Sequence, residues 1–141
     1  MNRHDPVVDA PTIGPRMASR LEAIGIMTVD DLLITNAATI AEQLDHRRVT
    51  EDVVLQWQQQ ATLVCRVPML RGHDAQLLVA GGVTTPEELA SYNADDLLAI
   101  IDPVSRSSEG QRYIRSGKAP DHQEITEWIS FAQHHRTLNA A

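Results

Sequence analysis

Three acidic pairs, Asp30-Asp31, Glu87-Glu88 and Asp95-Asp96, are of the residue type that holds a divalent metal for phosphodiester hydrolysis. Each pair falls in the first turn of a predicted helix, where carboxylates answer the positive end of the dipole, so capping is the role they fit. His4, His46, His73, His122 and the pair His134-His135 show no ligand spacing with cysteine or carboxylate and read as solvated. Cys65, the single cysteine, stands beside Arg66 near a helix end, a setting that can activate a thiol. No histidine or acid is spaced to serve it, so packing is its expected role. Trp57 and Trp128 could stack on bases or fill a core; their matched positions point to the core. No catalytic set, metal site or cofactor is therefore expected, and the chain reads as a non-enzyme. The remaining candidates for chemistry are cations. Arg106, Arg112, Arg115 and Lys118 form the densest basic stretch, suited to a phosphate surface, an acidic partner or simple solvation.

The 141 residues carry a net charge of −7, with 43% hydrophobic and 22% charged side chains, which describes a globular domain rather than a disordered one. The acid balance opposes broad electrostatic attraction to nucleic acid. Eleven of the twelve basic residues are nevertheless arginine, with Lys118 the exception. Arginine is the better fork for phosphate, although codon usage in a GC-rich genome gives the same bias. No apolar run approaches the roughly 18 residues that span a bilayer, the first ten residues lack a secretory apolar stretch, and one cysteine cannot build a disulfide framework. A cytoplasmic protein without membrane contact is expected.

The elements that position these residues come in two copies. Residues 11–45 and 68–102 align without a gap at an offset of 57, as Pro11/Pro68, Gly25/Gly82, Thr28/Thr85, Asn36/Asn93 and Asp45/Asp102 illustrate. In the first copy Gly14-Pro15 opens a helix, which carries Met17, Ala18, Leu21 and Ile24 at helical spacing, and Gly25 closes it. Thr28 to Asp31 has the pattern of a capping box. Asn36 caps the next helix, and Thr50 caps a longer one that Pro68 ends. The second copy repeats this grammar, with Thr85 to Glu88 as the stronger box and Asn93 as a cap. Matching Trp57 to Trp128 needs an offset of 71, so the second copy has gained 71 − 57 = 14 residues near 103–120. That insert reads as a short Ser-capped helix through Tyr113 and Ile114, ended by Gly117. Asp121 then caps a last helix bearing Ile125, Trp128, Ile129 and Ala132. The expected fold is all-α, about nine short helices in two units of about four, packed as one compact domain. Residues 1–10 are expected to be a flexible segment, 11–67 and 68–136 the two units, and 137–141 a frayed tail.

The stretch TIGPRMASRLEAIGIMTVDDL, residues 12–32, resembles the helix–hairpin–helix family: Ile13-Gly14-Pro15 opens a helix, Ala18 is small, Leu21 is apolar, and Gly25-Ile26 makes a second turn. Over residues 11–132 the chain looks like an uncharacterised bacterial group of tandem helix–hairpin–helix domains, similar to the DNA-binding part of flap endonucleases. The resemblance implies that backbone N–H groups at the hairpin, at the positive end of a helix, meet a phosphate oxygen without reading bases. Mapped onto this sequence, the contacts would be the backbone of Ile13 and Gly14 and the side chains of Arg16 and Arg20, four apart on one helical face. The other reading leaves these arginines solvated and the turn structural.

The second copy departs from the pattern. Thr12 stands where the first hairpin glycine is usual, and in the second copy Met69 and Arg71 occupy both glycine positions, with Gly72 displaced by one. Arg71 and His73 are then the candidate phosphate contacts there, unless that turn is structural. The motif also needs a helix before each hairpin. Residues 51–66 supply it for the second. For the first, either a longer parent chain supplies it or the last helix folds back; a domain cut from a longer protein also explains the loose start. The expected function is non-catalytic, sequence-independent binding of the DNA backbone. The alternative is a helical scaffold for a protein partner or for parent-chain domains.

Overall fold

The computed structural model describes residues 1–114 and 118–139. Among them are nine α-helices and no sheet, the all-α architecture that the punctuation predicts. Helix α1 (Pro15–Ala23) begins with proline at its first position, where a missing N–H leaves no bond unmade. It ends in a Schellman turn: Ile26 N–H donates to Leu21 O at 2.9 Å and Gly25 N–H to Glu22 O at 3.0 Å. Gly25 takes φ +91° there. Its twin Gly82 takes φ +86° in the same turn after α5 (Gly72–Ala80), where Val83 N–H reaches Leu78 O at 2.9 Å. The left-handed conformation is the physical reason for glycine at both positions.

Helix α2 (Val29–Ile34) carries the full capping box, Asp31 N–H to Thr28 Oγ1 and Thr28 N–H to Asp31 Oδ2, both 3.1 Å. A second amide, from Met27, joins at 3.0 Å, and these bonds hold the Asp31 carboxyl below its usual range. The far end of α2 is closed from outside: Gln58 Nε2 donates to the carbonyls of Leu32 and Thr35. Helices α3 (Ala37–Leu44) and α4 (Glu51–Arg66) start at their expected caps, Asn36 and Thr50. In the second copy α6 (Pro86–Ser91) and α7 (Ala94–Arg106) are capped by Thr85 and Asn93, and α9 (His122–Gln133) by Asp121. Thr85 accepts from Glu88 N–H, but Glu88 returns no bond, so the reciprocal box is the first copy's.

The copies part at one matched pair. Asp45 adopts the left-handed conformation (φ +46°) and stops α3, whereas Asp102 stays helical and α7 runs on through Pro103 to Arg106. The insert therefore begins inside a helix. Ser107 caps α8 (Ser108–Gln111), which ends before Tyr113 and Ile114 rather than running through them; Gly117 lies outside the described residues.

Packing divides the apolar residues into two cores. Trp57, Leu21, Leu32, Ile40 and Val54 belong to the first, and Trp128, Leu78, Leu89, Leu97 and Ile101 to the second. Helix α4 serves both: Trp57, Ala61 and Cys65 enter the first core, while Leu63 enters the second, joined by Val67 just beyond the helix. It is thus the helix before the turn expected as the second hairpin as well as the last helix packed on the first core. Helix α9 packs on α6 and α7 and is not the helix that precedes the first hairpin.

The expectation of a flexible segment over residues 1–10 gives way to an ordered one. Val7 is fully buried, its N–H donates to Met27 O, and Asp5 O and Arg3 O accept from Val29 and Asp30. A 3-10 turn (Val7–Asp9) stands where the missing helix would be. Helical periodicity could not announce this pairing, which is non-local. The tail also returns to the first unit. Arg136 and Arg66 exchange bonds through each other's backbone oxygens, Leu138 packs on the first core, and Asn139 Oδ1 accepts from Arg3 Nη1 at 2.6 Å.

Thr12 and Met69, matched at the offset of 57, both sit in the left-handed region, at φ +73° and +70°. Such a backbone costs a side-chain-bearing residue about 1–2 kcal/mol. Thr12 recovers part of this: its Oγ1 donates to buried Gln60 at 2.6 Å and accepts from Gln76 at 2.9 Å. Met69 is 78% exposed and has no such anchor. Met69→Gly is therefore expected to raise stability by about 0.5 kcal/mol, after the larger unfolded-state entropy of glycine is deducted. Thr12→Gly should lower it, because Gln60 loses its partner. Paired urea melts check the opposite signs.

Candidate nucleic-acid interface

The first hairpin is anchored by burial and open at its tip. Pro11 and Ile13 are buried and Gly14 is exposed, with nothing within 4 Å of where a Cβ would stand. Gly14 is extended (ψ 176°) and turns the chain into α1. No side chain caps α1, and no acid lies in its first turn. Every other α-helix among the described residues has a side-chain oxygen at its start: Thr28, Asn36, Thr50, Thr85, Asn93, Ser107 and Asp121 as caps, and Asp74 at α5. The amides of the α1 start need an acceptor from outside the helix.

The polar side chains around that start are Arg16, Arg20 and His46, set beside the apolar Pro15 and Met17. Arg16 and Arg20 are exposed and line a cleft of about 650 Å³ with Gly14, Pro15, Met17 and His46. His46 comes from the turn after α3 and was not a sequence candidate for this site. Its Nδ1 accepts from Arg48 N–H at 3.2 Å, which leaves Nε2 as the ring's donor. The signal that could have found it is the run His46-Arg47-Arg48 just past the left-handed Asp45.

The second hairpin is built from the same backbone and different chemistry. Gly72 and His73 line, with Thr12, Ile13 and Gly14, a second cleft of about 420 Å³, so the two helix starts face one groove. Arg71 is committed internally. Its Nε and Nη2 donate to Asp74, and Nη2 also meets Glu124 Oε1 at 2.8 Å. These carboxylates, Asp74 first, raise the Arg71 pKa further. His73 Nε2 stands 3.5 Å from Asp74 Oδ1. The structure thus brings Gly14, Arg16 and Arg20 to one open tip and turns Arg71 and His73 toward acids of the chain itself. Ile13, expected to offer its backbone there, is instead buried, and its N–H donates to Ala10 O at 3.3 Å.

The remaining candidates have local partners. Glu87 pairs with both terminal nitrogens of Arg66, which lowers its pKa, and Asp95 stands 3.2 Å from His122 Nε2. Among the described residues no three His, Cys, Asp or Glu side chains gather as a metal site. Burial raises the Cys65 thiol pKa, which keeps it protonated near neutrality. Trp57 and Trp128 are buried in separate cores. In the insert Arg106 pairs with Asp102 at 3.1 Å, Arg112 is exposed, and Lys118 lines a small cleft with Arg71, Asp74 and Glu124; Arg115 lies outside the described residues. No helix among the described residues is long and apolar enough to cross a membrane.

A family model described as a domain of unknown function (DUF4332) matches residues 11–135, and the chain belongs to that family. No curated protein and no solved structure matches it.

Proposed function

We propose that this member of the DUF4332 family is a helix–hairpin–helix module that docks on the phosphate backbone of DNA without reading sequence and without catalysis. The observation that carries the reading is α1, the α-helix whose start meets no side-chain oxygen, with Arg16, Arg20 and His46 around it and the Cβ-free Gly14 at the tip. Free amides at the positive end of a helix are an anion seat. A single seat on a chain of net charge −7 makes binding weak and salt-sensitive. The scaffold reading draws on different residues, the exposed apolar side chains of Met27, Leu55 and Ile34, the last 72% exposed.

Fluorescence anisotropy of labelled single-stranded, duplex and flap DNA separates the two. Expected for the wild type is binding at low salt with a logarithmic salt slope of about −1 to −2. Arg16→Glu/Arg20→Glu should weaken it at least about tenfold. Absence of binding at low salt would leave the scaffold reading.

A further inference from the structure

We infer that Asp74 is the specificity-determining residue of the second hairpin: its carboxylate occupies the seat that a phosphate would take, so that the domain engages one phosphate rather than two. The inference rests on the proposed phosphate docking and explains its asymmetry. Asp74 is the third residue of α5, and its side chain is 2% exposed. It accepts from Arg71 N–H at 3.0 Å, from Arg71 Nε at 3.1 Å and from Arg71 Nη2 at 3.3 Å, with His73 Nε2 at 3.5 Å. One backbone amide at a helix start, a guanidinium and an imidazole around a buried anion are the donor set that a phosphate oxygen would need. The anion present belongs to the chain itself.

The matched residue in the first copy, also third in its helix, is Met17, which brings no charge and no acceptor to α1. The two seats otherwise share a backbone, down to the left-handed residue two places before each helix-opening cap, Thr12 and Met69. Gly14, Gly72 and His73 line one groove, and Asp74 lines, with Arg71, His73 and Lys118, the cleft that meets it at His73, so an open second seat would lie next to that groove. A fixed carboxylate there repels phosphate and consumes its donors.

The test moves the carboxylate in both directions. Asp74→Asn keeps an acceptor for Arg71 N–H and removes the charge. It should tighten duplex DNA binding about 5- to 10-fold and steepen the salt slope by about 0.9, the share of one added phosphate. Met17→Asp should abolish binding at the first hairpin, while Met17→Asn should retain it. Inorganic phosphate, titrated into each protein and followed by amide chemical shifts, reads the seats separately. In Asp74→Asn the Arg71, Gly72 and His73 amides should move, and in the wild type only those of Gly14, Arg16 and Met17. Shifts at the second hairpin of Asp74→Asn without any at the first would sink the docking proposal and keep the role of Asp74. Binding by the wild type with no gain and no new shifts in Asp74→Asn would overturn that role. So would silence at both hairpins. Should Asp74→Asn not fold, judged by its melt, the Met17 pair decides: equal binding by both Met17 variants overturns the inference.

Discussion

Trp128→Ala is expected to destabilise the domain by about 3–5 kcal/mol, enough to unfold much of a protein of ordinary stability at 37 °C. Trp128 is 1% exposed and is the largest fully buried side chain of the second core, on α9 where that helix packs on α6 and α7. Removing it leaves a cavity that three helix backbones cannot close. Its indole N–H, however, has no acceptor in the structure. Trp128→Phe therefore loses volume but no hydrogen bond, and should cost only about 1–2 kcal/mol. A Phe variant as damaged as the Ala variant would mean that the indole N–H has a partner after all. Urea unfolding followed by far-UV circular dichroism and by Trp57 fluorescence checks both amplitude and cooperativity. Because α4 enters both cores, the two probes should move together in one transition, even though Trp57 lies in the other core.

Gly110→Ala should cost about 3 kcal/mol, a large effect for one methyl group. A Cβ at Gly110 would stand 1.9 Å from Val104 O, 2.8 Å from Val104 C and 3.1 Å from Ser105 Cα. All three are backbone atoms of the last turn of α7, which cannot yield as a flexible side chain would. The corner is further fixed by Gly110 N–H to Ser107 Oγ at 3.0 Å and Gln111 Nε2 to Ser105 O at 2.6 Å. The variant must either bend α7 or release α8. Thermal melts give the size, and faster amide exchange at Tyr113, whose N–H donates to Gly110 O, would report release. Gly14→Ala is the control: with no atom near its Cβ and φ −84°, it should leave stability unchanged within about 0.5 kcal/mol.

What was legible in the sequence was local. Thr28, Asn36, Thr50, Thr85, Asn93 and Asp121 each cap the helix they were expected to cap, since an oxygen one to three residues from an open amide needs no distant partner. In the insert a serine cap was legible but not which serine; it is Ser107, and its helix is shorter than expected. Gly25 and Gly82 were readable for the same reason. The departures lie where distant residues decide. The pairing of residues 3–7 with 27–30 and the return of the tail to Arg3 and Arg66 depend on contacts that no periodicity carries. Asp45 and Asp102 are the same residue in matched places, yet one ends its helix and the other does not. At the candidate site the first hairpin and its arginines were visible as a pattern. His46 arrived from another loop. Asp74 stood in plain view beside Arg71 and His73, but its carboxylate matters only through burial, and burial is a property of the assembled helices.

The bond from Arg3 to Asn139 brings the two ends of the described chain side by side. A host polypeptide would enter and leave such a domain through a single patch of its surface. The domain could therefore be spliced into a loop of another protein, or hung from one, without prising its helices apart. That patch involves neither Arg16 nor Arg20, whose contacts are with the hairpin cleft. In a chimera, such a module would be joined at Arg3 and Asn139, neither of which lines the arginine cleft.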